Sequence, residues 1–247
     1  MKRLLRTALP LIALAAAFLP GAAAAQALTL DLGEGGSVTG QIVRLVLLVT
    51  VLSLAPSILV MATSFTRIVI VLSFLRTAIG LQQSPPNAVI IGLSLFLTLF
   101  IMQPTFEAAW EAGVAPLIAE EIDEATAFER ASAPFRTFML AQVREKDLAL
   151  FYDIADLPPA DGPDAVQLRV LVPAFMISEL RRAFEIGFLV FIPFLVVDMV
   201  IASVLMSMGM MMLPPVMISL PFKLIFFVLV DGWYLVVGSL VQSFHTL

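Results

Sequence analysis

Four apolar stretches, residues 42–62, 88–103, 186–206 and 216–244, dominate this chain and leave little polar surface to wrap around a soluble core. Of its 247 residues, 60% are hydrophobic and only 13% charged, against about 45–50% and about 25% in soluble domains. A chain of this size still needs a wettable surface. Its excess apolar side chains therefore require lipid, or a large apolar partner, as their solvent. Backbone groups in such a solvent must be satisfied within each segment, so the expected fold is all-α, built of membrane-type helical hairpins.

The charges are unevenly placed. Between residues 107 and 169 there are 13 acidic and 5 basic residues, and elsewhere 6 acidic and 9 basic. An acidic block between apolar stretches predicts one water-exposed insertion and argues against nucleic-acid binding. The run from Glu120 to Glu124 and the turn from Pro158 to Pro163 suggest a mainly helical insertion that ends in a loop. There is no cysteine, which excludes disulfides, thiolate metal sites and cysteine nucleophiles. The single histidine, His245, cannot build a metal site by itself. No serine-hydrolase, metalloprotease or nucleotide-loop pattern is present, and Gly33-Glu34-Gly35-Gly36 reads as a linker. The reading is of a non-enzyme with no cofactor.

Residues 1–27 read as a cleavable signal peptide. Lys2, Arg3 and Arg6 precede a short apolar run, and alanines follow, with cleavage expected after Ala25 or Ala27. The alternative is an uncleaved anchor. Residues 28–41 would then start outside as a flexible stretch, 42–103 would form a first pair of apolar helices, and 104–171 the acidic periplasmic insertion. A second hairpin would occupy 172–247. This orientation puts a connecting loop with Arg67 and Arg76 inside, as the positive-inside rule expects, while the apolar run on through Phe65–Leu75 also allows a longer, broken helix there. Two features strain the picture. Residues 88–103 reach only about 24 Å as a helix, and Arg181 and Arg182 fall on the outer side. Such helices either cross lipid or bury themselves against copies and partners.

Three groups of residues stand out as mechanistic candidates. Met206, Met208, Met210, Met211 and Met212 fill the turn before Pro214-Pro215, which is expected to stop the helix. Methionine's soft torsions suit a deformable apolar seal, although a Met-rich turn can also be ordinary packing. Asp198 and Lys223 lie nearly equidistant from that turn, about 18–20 Å along each arm. They can pair within the hairpin or between subunits, or serve a proton relay. Glu179, Arg181, Arg182 and Glu185 form a charge cluster where the second hairpin begins, able to pair at i,i+3 and i,i+4 or to reach a neighbouring subunit.

Three long motifs carry a resemblance. The first runs Ser64-Phe65-Thr66-Arg67-Ile68-Val69-Ile70-Val71-Leu72, on to Arg76 and Pro85-Pro86-Asn87. The second is Val172-Pro173-Ala174-Phe175-Met176-Ile177-Ser178-Glu179-Leu180, leading to Phe184-Glu185-Ile186-Gly187. The third is Leu213-Pro214-Pro215-Val216-Met217-Ile218-Ser219, leading to Lys223 and Asp231-Gly232-Trp233. In this order they closely resemble the FliP family of flagellar type III secretion export-gate proteins, from about residue 42 onward.

The resemblance implies a homopentamer in the flagellar basal body. FliQ- and FliR-like subunits would complete it, and FlhA- and FlhB-like export proteins would work with it. Unfolded flagellar subunits would pass through its pore, and the methionine stretch 206–212 would gate it. It also implies a helical assembly raised above the bilayer plane of the inner membrane. A virulence injection system uses an equivalent subunit, and a small-molecule transporter is the remaining alternative. The transporter reading calls for internally repeated halves, which the sequence does not show.

Overall fold

The computed structural model describes residues 42–43, 45–46, 49–50, 53, 57, 60–81, 83–160, 162–210 and 212–244. The expected signal peptide, the stretch 28–41 and His245 lie outside the described residues. The chain divides into two units, Met1–Val51 and Leu52–Leu247. In the first, the described residues between 42 and 50 are helical and exposed, and Thr50 Oγ1 donates to the Val46 carbonyl at 2.7 Å.

The second unit holds helices α1 (Phe65–Ile79), α2 (Asn87–Ile118), α3 (Glu124–Gln142), α4 (Glu145–Ile154), α5 (Leu168–Ser207), α6 (Pro215–Leu229) and α7 (Gly232–Gln242). There is no strand among the described residues. α1 is its centre. Ile68, Val71 and Leu72 pack with Ile90, Leu97 and Ile101 of α2, Ala183 of α5, and Leu240 and Phe244 at the end of α7. One turn further on, Leu75, Ala78 and Ile79 meet Phe194 and Phe227. The helix stops at Gly80, whose φ of +90° a side chain resists.

Residues 65–79 are thus a buried helix, as the apolar run through Phe65–Leu75 allowed, and not the inside loop that the charge pattern suggested. The apolar run there is continuous, and a helix covered on several sides needs no polar face.

Two other helices outrun their expected limits. α2 continues past residue 103 to Ile118, through Pro104 and one widened turn at Trp110–Val114. Gly113 lets α3 pack closely against that turn, because a Cβ there would lie 2.6 Å from the Ala127 carbonyl oxygen of α3. α5 begins at Leu168 and runs 40 residues, about 60 Å. The Glu179–Glu185 charges therefore sit inside a continuous helix. Its first half is held by packing, with Leu171 and Phe175 buried against Met139 of α3.

The acidic block is helical as expected. Asp123 caps α3 by accepting from the Thr126 N–H at 3.1 Å, and hydrogen bonds from Thr126 hold its carboxyl below the usual range.

α2 and α5 are each long and apolar enough to cross a membrane. α6 and α7 together make a third candidate, bent by 63°. The bend falls at Asp231, in a left-handed conformation at φ 50°, next to Gly232, which lies buried on the Phe227 ring. The stretch 216–244 is therefore one bent element, a broken span or a re-entrant loop, and not a single straight helix.

α1 meets α5 where Gly187 faces Phe74. A Cβ at Gly187 would sit 2.6 Å from Phe74 Cδ2 and 3.2 Å from Phe74 Cβ, too near the backbone for a ring rotation to clear. Gly187→Ala is expected to cost about 1–3 kcal/mol through overpacking. Adding Phe74→Leu should recover part of it in thermal melts of the purified chain, and no recovery would place the strain elsewhere.

Candidate functional site

Arg67 is the largest fully buried side chain among the described residues, and all five of its N–H donors are used. Nε donates to Glu179 Oε2 at 2.9 Å, and Nη2 reaches Glu179 Oε1 and, at 2.9 Å, Gln142 Oε1. Nη1 donates to the Ser243 carbonyl and hydroxyl at 3.2 and 3.1 Å. The Phe244 ring covers the guanidinium, its centroid 3.7 Å from Cζ. This hub joins α1, α3, α5 and the end of α7.

Glu179 and Arg182 consequently do not complete a cluster with Arg181 and Glu185. Arg182 donates to Gln142 Oε1 at 3.0 Å, while Arg181 and Glu185 pair at 2.8 Å on the exposed side. The helix itself explains the division. Residues 179 and 182 share the face that packs inward, and residues 181 and 185 share one that does not.

Beside the hub, α4 is fastened to α5. Ser178 Oγ donates to Asp147 Oδ2 at 2.6 Å and accepts from the Arg144 N–H at 3.1 Å, while the Arg144 guanidinium grips the same carboxylate. Burial pushes the Asp147 carboxyl up, but the bonds from Ser178 and Arg144 outweigh it and hold the group below the ordinary range.

The second polar centre lies in the α5–α6 hairpin. Lys223 Nζ is 2.6 Å from Asp198 Oδ2, and Ser219 Oγ donates to Asp198 Oδ1 at 2.5 Å. Lys223 also donates to the Ala78 carbonyl at 3.2 Å, one of the carbonyls left open in the last turn of α1. An ammonium there also meets the negative end of the helix dipole. One lysine thus ties the hairpin's two arms to the central helix.

Beyond this lock the hairpin ends in its methionine turn. Gly209, at φ +76°, closes α5: its N–H donates to Met206 O and the Met210 N–H to Leu205 O, at 3.1 and 3.0 Å. The glycine, not Pro214-Pro215, ends the helix, and Pro215 opens the next one, where a missing N–H costs nothing. Met206 and Met208 are more than half exposed and Met212 is 98% exposed. Met210 is half-buried, and Met211 lies outside the described residues. A turn that presents bare thioether side chains, on arms pinned by a buried ion pair, can conform to an apolar surface without moving its base.

Among the described residues no group of histidine, aspartate and glutamate is placed to hold a metal ion.

The sequence matches the FliP family over residues 48–240. It is 62% identical to the flagellar biosynthetic protein FliP of Caulobacter vibrioides, covering 95% of this chain and 89% of that one. It is 58% identical to the protein of the same name from Bacillus subtilis, over 82% of this chain and 91% of its relative. With that of Rhizobium meliloti it shares 52% over 98% of this chain and all of the other.

Glu179→Gln leaves Arg67 buried without a compensating charge and should cost about 3–5 kcal/mol, whereas Arg67→Met with Glu179→Leu should regain most of it. Denaturant melts of the purified single and double variants check this, and a double variant as unstable as the singles would refute it. For Asp147 the sign follows from its lowered folded value. Its carboxylate stabilises the docking of α4 at pH values above about 4, and that contribution is lost as pH falls further. The stability gap between wild type and Asp147→Asn should therefore be full at pH 7 and close below about pH 4.

Proposed function

The chain belongs to the FliP family, and from that premise we propose that it is the pore-forming subunit of the flagellar type III protein export gate. Copies of the chain, five to a ring, would surround a channel for unfolded flagellar subunits. FliQ-like and FliR-like subunits would complete the gate, with FlhA- and FlhB-like proteins delivering cargo to it. The gate would sit in the bacterial inner membrane within the flagellar basal body, with the acidic block 107–164 on the periplasmic side.

The observation that carries this reading is the methionine turn on its locked hairpin. Cargo of varied sequence needs an opening that deforms around each side chain and reseals, and methionine is suited to that. The Asp198–Lys223 pair holds the arms so that deformation is confined to the tip. The apolar faces of α2 and α5, with Phe96, Phe100, Phe188 and Leu189 exposed, are surfaces that subunits or lipid would cover. The chain acts by lining a path, not by chemistry.

Deleting the gene should abolish hook and filament protein in the culture medium, and complementation should restore it. Normal flagellar export without the chain would move the reading to a virulence system. Replacing Met206, Met208, Met210, Met211 and Met212 by alanine should raise ion leakage through the gate in membrane-conductance assays. Unchanged leakage and export would remove the seal from the account. If the ion pair is structural, exchanging Asp198 and Lys223 together should restore the assembly that each single exchange abolishes. Equal failure of all three would point to a proton relay or a charged pore ring instead.

A further inference from the structure

One surface of the acidic block takes no part in the hub, the hairpin or the apolar faces. Between α4 and the turn 157–166 lies an open groove of about 460 Å³, within the range of specific binding sites. Its floor is apolar, formed by Leu148, Tyr152, Leu157 and Val166. Among the described residues, the charged ones that line it are Glu145 and Asp153, both exposed on α4.

We propose that this groove docks an extended peptide segment of a partner protein in which an apolar side chain is flanked by two basic ones. Charge selects the occupant. Glu145 and Asp153 repel an acidic one, and the block around them carries 13 acidic against 5 basic residues. The chain's own segment 28–40 holds Asp31 and Glu34 and no basic residue, so it is mismatched, as is the acidic block of a second copy.

Spacing sets the pattern. Eight residues of helix separate the two carboxylates by about 12 Å, and four residues of extended chain cover about 13 Å. In an extended chain, positions i, i+2 and i+4 share one face. The matching segment therefore puts arginine or lysine at the ends and an apolar residue midway, level with Ala149 and over the apolar floor.

The test uses the full chain in nanodiscs of zwitterionic lipid, with empty nanodiscs as blank. The probe is a fluorescent pentapeptide, Arg-Thr-Leu-Thr-Arg, followed by anisotropy. It should bind with a dissociation constant below millimolar and weaken as salt rises. Ala149→Trp, which fills the groove from an exposed position, should weaken binding at least tenfold. Glu145→Gln with Asp153→Asn should remove most of the salt dependence. Ile154→Trp, on α4 but outside the groove, should bind as wild type and so report on folding.

The proposal is overturned if Glu-Thr-Leu-Thr-Glu binds equally well, if Ala149→Trp binds normally, or if no pentapeptide binds below millimolar. Tighter binding of a peptide of residues 28–40 would assign the groove to this chain. Loss of self-association in Ala149→Trp would assign it to a second copy.

Discussion

The ion pair between Arg67 and Glu179 is the constraint on which the rest of the second unit depends. Two charges removed from water are costly, and only complete hydrogen bonding recovers the loss. Here the guanidinium has a partner for every donor, drawn from three other parts of the chain. No one of those parts can move without leaving a buried polar group unpaired. Apolar helices pack with little directional preference, and a network of this kind supplies the direction. It fixes which face of α5 meets α1, where α3 ends, and where α7 comes to rest.

From that anchor the side chains become more exposed toward the hairpin tip. α5 extends away from the hub with most of its far half bare, and Asp198, Lys223 and Ser219 keep α6 in step with it. Beyond the lock, the hairpin carries no charged side chain, its Ser203 and Ser207 hydroxyls bond back to α5, and a glycine closes the turn. A rigid base with a compliant end is what a seal around changing cargo requires, so energetics and proposed function meet in one element. The acidic block is tied to the same base through Asp147 and Ser178, next to Glu179. Its position is thus coupled physically to the hub, not attached by a loose linker.

The helical class was legible from hydropathy alone, because no other backbone structure suits so apolar a chain. Positions within one hairpin were legible too, since residues 198 and 223 are counted from the same turn. What the pattern did not disclose is long-range. Arg67 and Glu179 lie 112 positions apart, and local spacing offered Glu179 nearer partners in Arg181 and Arg182. The signal was nevertheless there: Arg67 is a lone charge in an apolar run, which demands a buried partner more than it marks an inside loop. The break before α7 also had a mark, Asp231-Gly232, a turn dipeptide inside an otherwise unbroken apolar stretch. The lengths of α2 and α5 were hidden because their polar ends continue the helix under tertiary cover. Hydropathy reads only their apolar parts.

The central claim is that export cargo passes the methionine turn. The chain has no cysteine, so a single one at Met208 or Met212 is a unique handle. A flagellar substrate stalled by a folded C-terminal fusion and carrying its own cysteine can then be tested for disulfide cross-linking in cells. The account predicts cross-links from Met208→Cys and Met212→Cys, and none from Phe96→Cys on the outer face of α2. Cross-links at residue 96 without any at 208 or 212 would contradict it.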